Sequence, residues 1–435
     1  MDSMKNKSTP RVIACCGGMV IVAGLERMTF EVLRLLRERG AAVHCIVNTW
    51  ENHRIVALAE NIGASWSTGY YWHPFGRQLL NPIKLAQFLW DVLMTSCGLI
   101  GDAWRFKPTH VLLPDFVSVL KNAPALLALR CFGVKSILRV GNSPTPGRFY
   151  RVVWGMMVSP LVNLIAPNSM FTANKLLESG VSAKKMRIIR NALSRRFVSP
   201  GTDADLIALV KSRRTILCVG QIAPFKGTHL AVEAGLQLLA DGEDVQVVIV
   251  GRLPNWPPEF VEYVQTMQSR IEQAGAQDRI WFADERQNIP EIMRNSYLLA
   301  APIPETESFG NVALEAKNVG LPVVTFPTGG LVELVDHQRT GFVCRDLTLE
   351  SLLEGIRHFL HQPAARDAAS AACLAEIQQP DFAYSQSAFQ MAWWEVFGLA
   401  DGRAELLGCR VELPDPTMSS SPERAEVNSR GQRPR

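Results

Sequence analysis

Glu307 and Glu315 stand in an E-x7-E pattern inside YLLAAPIPETESFGNVALEAKNVGLPVVTFPTGGLVE, residues 297–333. Tyr297 to Ala301 is an apolar run of strand length, stopped by a turn from Pro302 to Pro304. Glu307 follows in a loop, ahead of a helical pattern carried by Phe309, Val312, Ala313 and Ala316, with Ser308 as the expected N-cap. Gly310 and Asn311 leave their backbone N–H groups free in the first turn. Gly320-Leu321-Pro322 ends the helix, and Val323 to Phe326 reads as the next buried parallel strand. Such a crossover puts an acid at a strand's carboxyl end, where open α/β sheets bind ligands. The helix start favours phosphate, because its orphan N–H groups and its dipole attract anions. Glu315 is expected two turns into the helix, on the order of 10 Å from its start at roughly 1.5 Å per residue. A diphosphate at that start would have Glu307 on one side and Glu315 on the other. A nucleotide sugar has this layout: sugar, diphosphate, ribose. An E-x7-E pair taken alone reads as two solvated carboxylates on a surface helix, so the surroundings carry the argument.

Further groups could serve the same chemistry. Lys226 lies in VGQIAPFKG, just past a strand end, where a lysine can place a compact charge on a diphosphate. Negative charge grows on a departing diphosphate, and preorganised positive groups aimed there lower the barrier. Gly17-Gly18 follows the first strand and permits close backbone approach to a ligand, although an ordinary tight turn explains it equally well. Gly329-Gly330 lets a loop pass close to donor or acceptor, and Glu333 reads as an acid at a helix N-terminus.

The pattern E-[ST]-F-G-x3-L-E-A-x3-G-x-P-V-V, followed by Gly329-Gly330, closely resembles the nucleotide-sugar half of the retaining glycosyltransferases of family 4. The resemblance is dense over residues 215–343 and thinner before them. It implies an α/β protein of GT-B fold, two doubly wound Rossmann-like domains facing across a cleft. It gives Glu307 the donor sugar and Glu315 the ribose hydroxyls, and makes Glu307 and Lys226 the catalytic pair. The donor-binding set it implies is Gly17, Gly18, Gln221, Gly251, Ser308, Phe309, Gly310 and Asn311 together with Glu315. It also implies retained anomeric configuration, no metal and no cofactor beyond the nucleoside diphosphate sugar itself.

The sequence departs from the family in three places. Gln221 stands where an Arg is usual, so a rearranged diphosphate clamp is expected, supported by helix N–H groups from Phe309 to Val312. No His lies near LRVGN, residues 138–142, and Asn142 either takes its hydrogen-bonding place on the acceptor side or caps a loop. The usual close grouping of two glycines, a small residue and Glu is split into Gly17-Gly18 and Gly24-Leu25-Glu26, leaving open which pair adjoins the phosphate.

At 435 residues the chain has room for two domains, and its 47% hydrophobic content suits sizeable cores. The 9 cysteines are dispersed, which predicts buried thiols in a reducing cytosol rather than a disulfide framework or zinc site. No signal peptide is expected. The net charge of +4 is unevenly spread. Residues 1–200 hold 25 Lys and Arg against 10 Asp and Glu, a balance of +15, and the rest hold 20 against 31, a balance of −11. That asymmetry points to an anionic partner for the first half. Nucleic acid is possible in principle, but no motif with basic and aromatic interleaving is visible, so no nucleic-acid partner is expected. An anionic membrane surface fits better. Basic and apolar residues alternate from Arg148 to Trp154, and Lys184, Lys185, Arg187 and Arg190 follow. Steering of nucleotide sugars is the simpler alternative.

The expected organisation is an acceptor-binding domain over 1–200, a donor-binding domain over 201–380, a closing helix over 381–400 that crosses back to the first domain, and a disordered tail over 401–435. The linker is expected at 199–212. The apolar stretch from Pro82 to Arg105 is broken by Asp91 and Asp102 and reads as a core helix, one face of which could be interfacial, rather than a membrane span. The function expected is transfer of a sugar from a nucleoside diphosphate sugar to a glycan or lipid-linked hydroxyl, in the cytoplasm or at the inner face of the membrane. A nucleotide-sugar epimerase of the same fold and a non-catalytic nucleotide-sugar-binding protein are the rivals. A dinucleotide oxidoreductase is disfavoured, because neither half has G-x-G-x-x-G after its first strand.

Overall fold

The computed structural model describes residues 9–19, 22, 24–50, 52–71, 76–193, 203–254 and 258–400. The first residues of the expected linker, 199–202, and the tail expected from 401 lie outside them.

Two parallel six-stranded sheets organise the chain. The first holds β1 (Arg11–Cys15), β2 (Ala42–Asn48), β3 (Ser65–Gly69), β4 (His110–Leu113), β5 (Lys135–Val140) and β6 (Leu164–Pro167), in the order β3-β2-β1-β4-β5-β6. The second holds β7 (Arg214–Val219), β8 (Val245–Val250), β9 (Ile280–Phe282), β10 (Leu298–Ala301), β11 (Val323–Thr325) and β12 (Gly341–Val343), in the order β12-β11-β10-β7-β8-β9. Each half is thus doubly wound, and its strand order reverses at one point: between β1 and β4 in the first sheet, between β7 and β10 in the second. Ligands bind in the crevice outside the strand ends at such points. Central strands such as VQVVIV of β8 are apolar throughout because helices cover both faces.

The helix Gln386–Val396 returns to the first sheet. Phe389 and Trp393 enter the same core cluster as Val12, Leu33 and Leu36. The Trp394 indole N–H donates to the Leu35 carbonyl at 3.2 Å, and the Arg39 guanidinium lies 3.9 Å over the Trp394 ring. Gln386 donates to Glu31, and Arg187 pairs with Glu395.

Three local expectations need correction. The segment Ala204–Ser212, expected as linker, is a helix whose Leu206 and Val210, one turn apart, bury against the second sheet. The thiols are not all buried: Cys97 and Cys131 are exposed. The helix Pro82–Phe106 forms, capped by Asn81, whose side chain accepts from the N–H of Ile83 at 2.9 Å, but it is not a core helix. Its inward face carries Asp91, Thr95, Ser96, Leu99 and Ala103, while Ile83, Leu89, Trp90, Leu93 and Trp104 are exposed. A polar anchor explains the inversion. Asp91 pairs with Lys121 at 2.6 Å, both nearly sealed from solvent, and the Thr95 hydroxyl donates to the Lys121 carbonyl at 2.7 Å. Removing one member strands the other charge in the interior. Asp91→Ala is therefore expected to cost about 3–5 kcal/mol in denaturant unfolding, with Asp91→Leu/Lys121→Met recovering most of the loss.

Candidate active site

The loops after β7 and β10 straddle the reversal point of the second sheet, and both are shaped by backbone contact. After β7 the chain makes a short turn, Pro224–Lys226, and leaves it through Gly227 at φ 71°. A Cβ on Gly227 would fall 1.8 Å from the Pro302 carbonyl oxygen, so only glycine lets this turn lie against the proline loop that ends β10. Lys226 is thereby carried to Glu307, and the two pair at 2.5 Å. Glu307 is held from behind by Gly329-Gly330. The Gly330 N–H donates to its carbonyl at 2.7 Å, and a Cβ on Gly329 would overlap that same oxygen. The glycine pair therefore serves the backbone of Glu307, a closer role than the ligand approach read from the sequence.

The helix beyond is Asn311–Asn318, which starts later than the apolar pattern suggests. Gly310 is its N-cap at φ 93°, and no side chain caps it. Glu315 consequently lies one turn into the helix rather than two. Ser308, expected as the cap, is turned to the other domain. Its hydroxyl oxygen accepts from the Ser143 N–H at 2.6 Å, and its carbonyl accepts from the hydroxyls of Ser169 at 2.6 Å and Thr172 at 3.3 Å.

The cleft between the sheets encloses about 790 Å3, in the range of small-molecule sites. Of the residues singled out in the sequence, Lys226, Glu307, Gln221, Gly251, Phe309, Gly310, Asn311, Glu315 and Asn142 line it. Gly17 and Gly18 do not. Gly17 is pressed against Tyr71, whose ring a Cβ would meet at 1.8 Å, and Gly18 lies against Asp115. Gly24, Leu25 and Glu26 take the cleft position instead, with a Gly24 Cβ only 2.8 Å from the Asn311 amide nitrogen. Asn142 is exposed in the cleft wall.

Several cleft residues went unread in the sequence. Arg252 and Arg54 line the cleft, and among the described residues neither has an ion-pair partner. Arg252 follows Gly251 at the end of β8, so its place just past a strand's carboxyl end was the available signal. Arg139 is buried, and desolvation pulls its guanidinium down to about 10, opposed by the charge of Glu26; it stays cationic at neutral pH. It donates to the Asn191 side-chain oxygen at 2.9 Å, and Asn191 donates to that of Asn311 at 3.0 Å, so a charge in the first domain is relayed to the helix start in the second. Asn168 also lines the cleft; its amide donates to the Gly141 carbonyl, while its own side-chain oxygen is buried without a partner. No group of three or more potential metal ligands occurs among the described residues. Asp203 and Asp205, spaced as D-x-D, do not line the cleft, and Asp203 is buried accepting from the Asn288 N–H at 3.0 Å.

The domains are latched by a cross-domain cap. Glu333 accepts from the N–H groups of Met170 at 3.1 Å and Phe171 at 2.7 Å, the first turn of the helix Met170–Glu178 in the first domain. It also lies in the first turn of its own short helix, Leu331–Leu334, as its sequence position suggested, so one acid serves two helix N-termini.

Comparison with known proteins bears on this arrangement. Residues 205–373 match the family described as Glycosyl transferases group 1. This segment is a group 1 glycosyl transferase domain. The chain is 29% identical over 210 residues to a lipopolysaccharide core biosynthesis mannosyltransferase of Rhizobium meliloti, covering 47% of this chain and 58% of that one. It is 26% identical over 232 residues to human alpha-1,3/1,6-mannosyltransferase, covering 50% and 55%. The matches thus span little more than half the length of these relatives. Among solved structures, HepE of Anabaena in complex with UDP-glucose superposes with a TM-score of 0.71 at 18% identity, over 90% of this chain and 100% of that one. Sucrose-phosphate synthase of Thermosynechococcus elongatus gives 0.68 at 14% identity, over 89% and 98%. The fold is GT-B, as the sequence pattern implied.

The latch can be tested by itself. Glu333→Ala leaves two helix N–H groups without their acceptor, a loss of about 0.5–2 kcal/mol from the closed arrangement. A larger radius of gyration in small-angle X-ray scattering, with unchanged far-UV circular dichroism, is the expected result.

Proposed function

We propose that the protein transfers a sugar from a nucleoside diphosphate sugar to a hydroxyl of a glycan or lipid-linked acceptor, with retention at the anomeric carbon and without a metal. The observation that carries this reading is the Lys226–Glu307 ion pair beside an uncapped helix start in the group 1 domain. An entering diphosphate exchanges partners with the pair. Lys226 turns to the phosphates, where Arg252 adds the charge that Gln221 lacks, and the N–H groups at Asn311 and Val312 complete the clamp. Glu307, released, accepts from hydroxyls of the donor sugar, and Glu315 takes the ribose.

In the reaction the bond from the anomeric carbon to the diphosphate oxygen breaks and its electron pair leaves with the nucleoside diphosphate. The acceptor oxygen bonds to the same face of that carbon, and its proton passes to the departing phosphate oxygen. Cationic side chains and helix dipole supply the leaving-group stabilisation that a divalent ion supplies elsewhere. Asn142 and the unsatisfied oxygen of Asn168 offer hydrogen bonds on the acceptor side. The relatives named as mannosyltransferases and the neighbour holding UDP-glucose make nucleoside diphosphate mannoses and UDP-glucose the first donors to try.

A thermal-shift screen against such a panel identifies the donor, since a ligand that binds only the folded state raises its midpoint. With that donor, Glu307→Gln and Lys226→Ala are each expected to lower kcat/KM by a factor on the order of 100. Glu315→Ala should weaken donor affinity more than turnover. EDTA should leave the rate unchanged. Near-wild-type turnover in both folded Glu307 and Lys226 variants would refute the assignment, and turnover of the donor without any acceptor would indicate an epimerase.

A further inference from the structure

The inverted helix Pro82–Phe106 is one edge of a wider surface. It packs with the helix Ala123–Cys131 and the helical stretch from Arg148 to Leu161 over one face of the first sheet, through Leu99, Leu126, Leu129, Trp154 and Val158. The outside of that layer is apolar. Along the long helix Ile83, Trp90, Leu93, Cys97, Ile100 and Trp104 are exposed at spacings of three, four and seven, a single stripe about 30 Å long at 1.5 Å per residue. Trp104 is 83% exposed. Phe132 at 84%, with Phe149, Val152 and Met156, continues the surface on the neighbouring helices. Monomeric proteins rarely leave so much contiguous apolar surface in water without a use for it.

Charge selects the partner. Arg105, Lys107, Arg130, Lys135, Arg148 and Arg151 are exposed around the apolar surface. Among the described residues of 76–161 no acid is exposed: Asp91 is buried with Lys121, Asp102 accepts from the Ser67 hydroxyl, and Asp115 caps the helix Phe116–Lys121. We propose that this face docks flat on an anionic lipid bilayer, the apolar stripe entering the headgroup boundary and the basic rim holding the phosphates. A second copy of the chain fits worse, because a two-fold contact through this face sets the basic rim against itself. A membrane span fits worse too, since Asp91, Thr95 and Ser96 tie the long helix to the rest of the domain.

The docking surface differs from the one read in the sequence. Trp154 is 2% exposed and belongs to the core. Lys185 donates to the carbonyls of Ser159 and Val162, and Arg187 pairs with Glu395. Of the expected residues, Arg148, Phe149, Arg151, Val152 and Lys184 are exposed. In a parallel domain, helices that follow strands begin at the strands' carboxyl ends, so the long helix after β3 and the Arg148 helix after β5 start at the rim of the cleft. A bilayer bound here brings headgroup-linked hydroxyls to the acceptor side.

The proposal is independent of the transfer reaction and is tested without donor or acceptor, using the full chain and vesicles of phosphatidylcholine with or without 30% phosphatidylglycerol (about one anionic lipid in three). Co-sedimentation is expected with the anionic vesicles at low salt, fading in high salt. Trp90→Ser/Trp104→Ser and Arg148→Glu/Arg151→Glu, all at exposed positions, should each weaken partitioning about tenfold or more, with unchanged circular dichroism. Three results would overturn it: no sedimentation with anionic vesicles at low salt, binding untouched by the tryptophan pair, or a dimer in analytical ultracentrifugation that Trp104→Ser dissolves.

Discussion

A helix that begins without a side-chain cap leaves backbone N–H groups in want of an acceptor, and the cleft is arranged around one such start. The residue placed to cap the helix Asn311–Asn318 is Ser308, and its hydroxyl and carbonyl are spent on Ser143, Ser169 and Thr172 of the other domain. Gly310 turns the chain in its place. One serine thus joins the domains and leaves the helix start without a side-chain cap. Lys226 and Glu307 lie beside it and neutralise each other.

Closure rests on polar contacts rather than on a shared core. Glu333 on two N–H groups, Ser308 on three donors and the Arg139–Asn191–Asn311 relay are hydrogen bonds that water can replace when the domains part. The exception is the helix Gln386–Val396, whose aromatic side chains are built into the first domain's core. The two halves can therefore separate at the cleft while remaining tied at the far end of the chain.

The second domain was legible in the sequence because its strands are buried on both faces and read as apolar runs, and because glycines and prolines mark its turns. β3, with the sequence SWSTG, is a half-exposed edge strand with no apolar run, and it left no signal. The long helix was misread for a related reason. Hydropathy tells how apolar a helix is but not which way it faces, and the Asp91–Lys121 pair that sets its orientation joins residues thirty apart. At the site, residues on the Glu307 loop were readable from local pattern. Arg54, Arg139 and Asn168 reach the cleft only through the folded first domain, and Asn191 through its bond to Asn311 of the second, and local spacing carries no trace of either.

The return of the last helix also sets an order on biosynthesis. The cluster that seats Val12, Leu33 and Leu36 is closed by Phe389, Trp393 and Phe397. Everything else in that cluster has left the ribosome by Ala192. Roughly 200 residues, including the whole second domain, must then be made before the lid on this core exists, a wait of about 10–40 s at about 5–20 residues per second. Throughout it the nascent first domain shows a greasy groove flanked by basic residues. The first domain becomes a finished fold only once the helix Gln386–Val396 has been made.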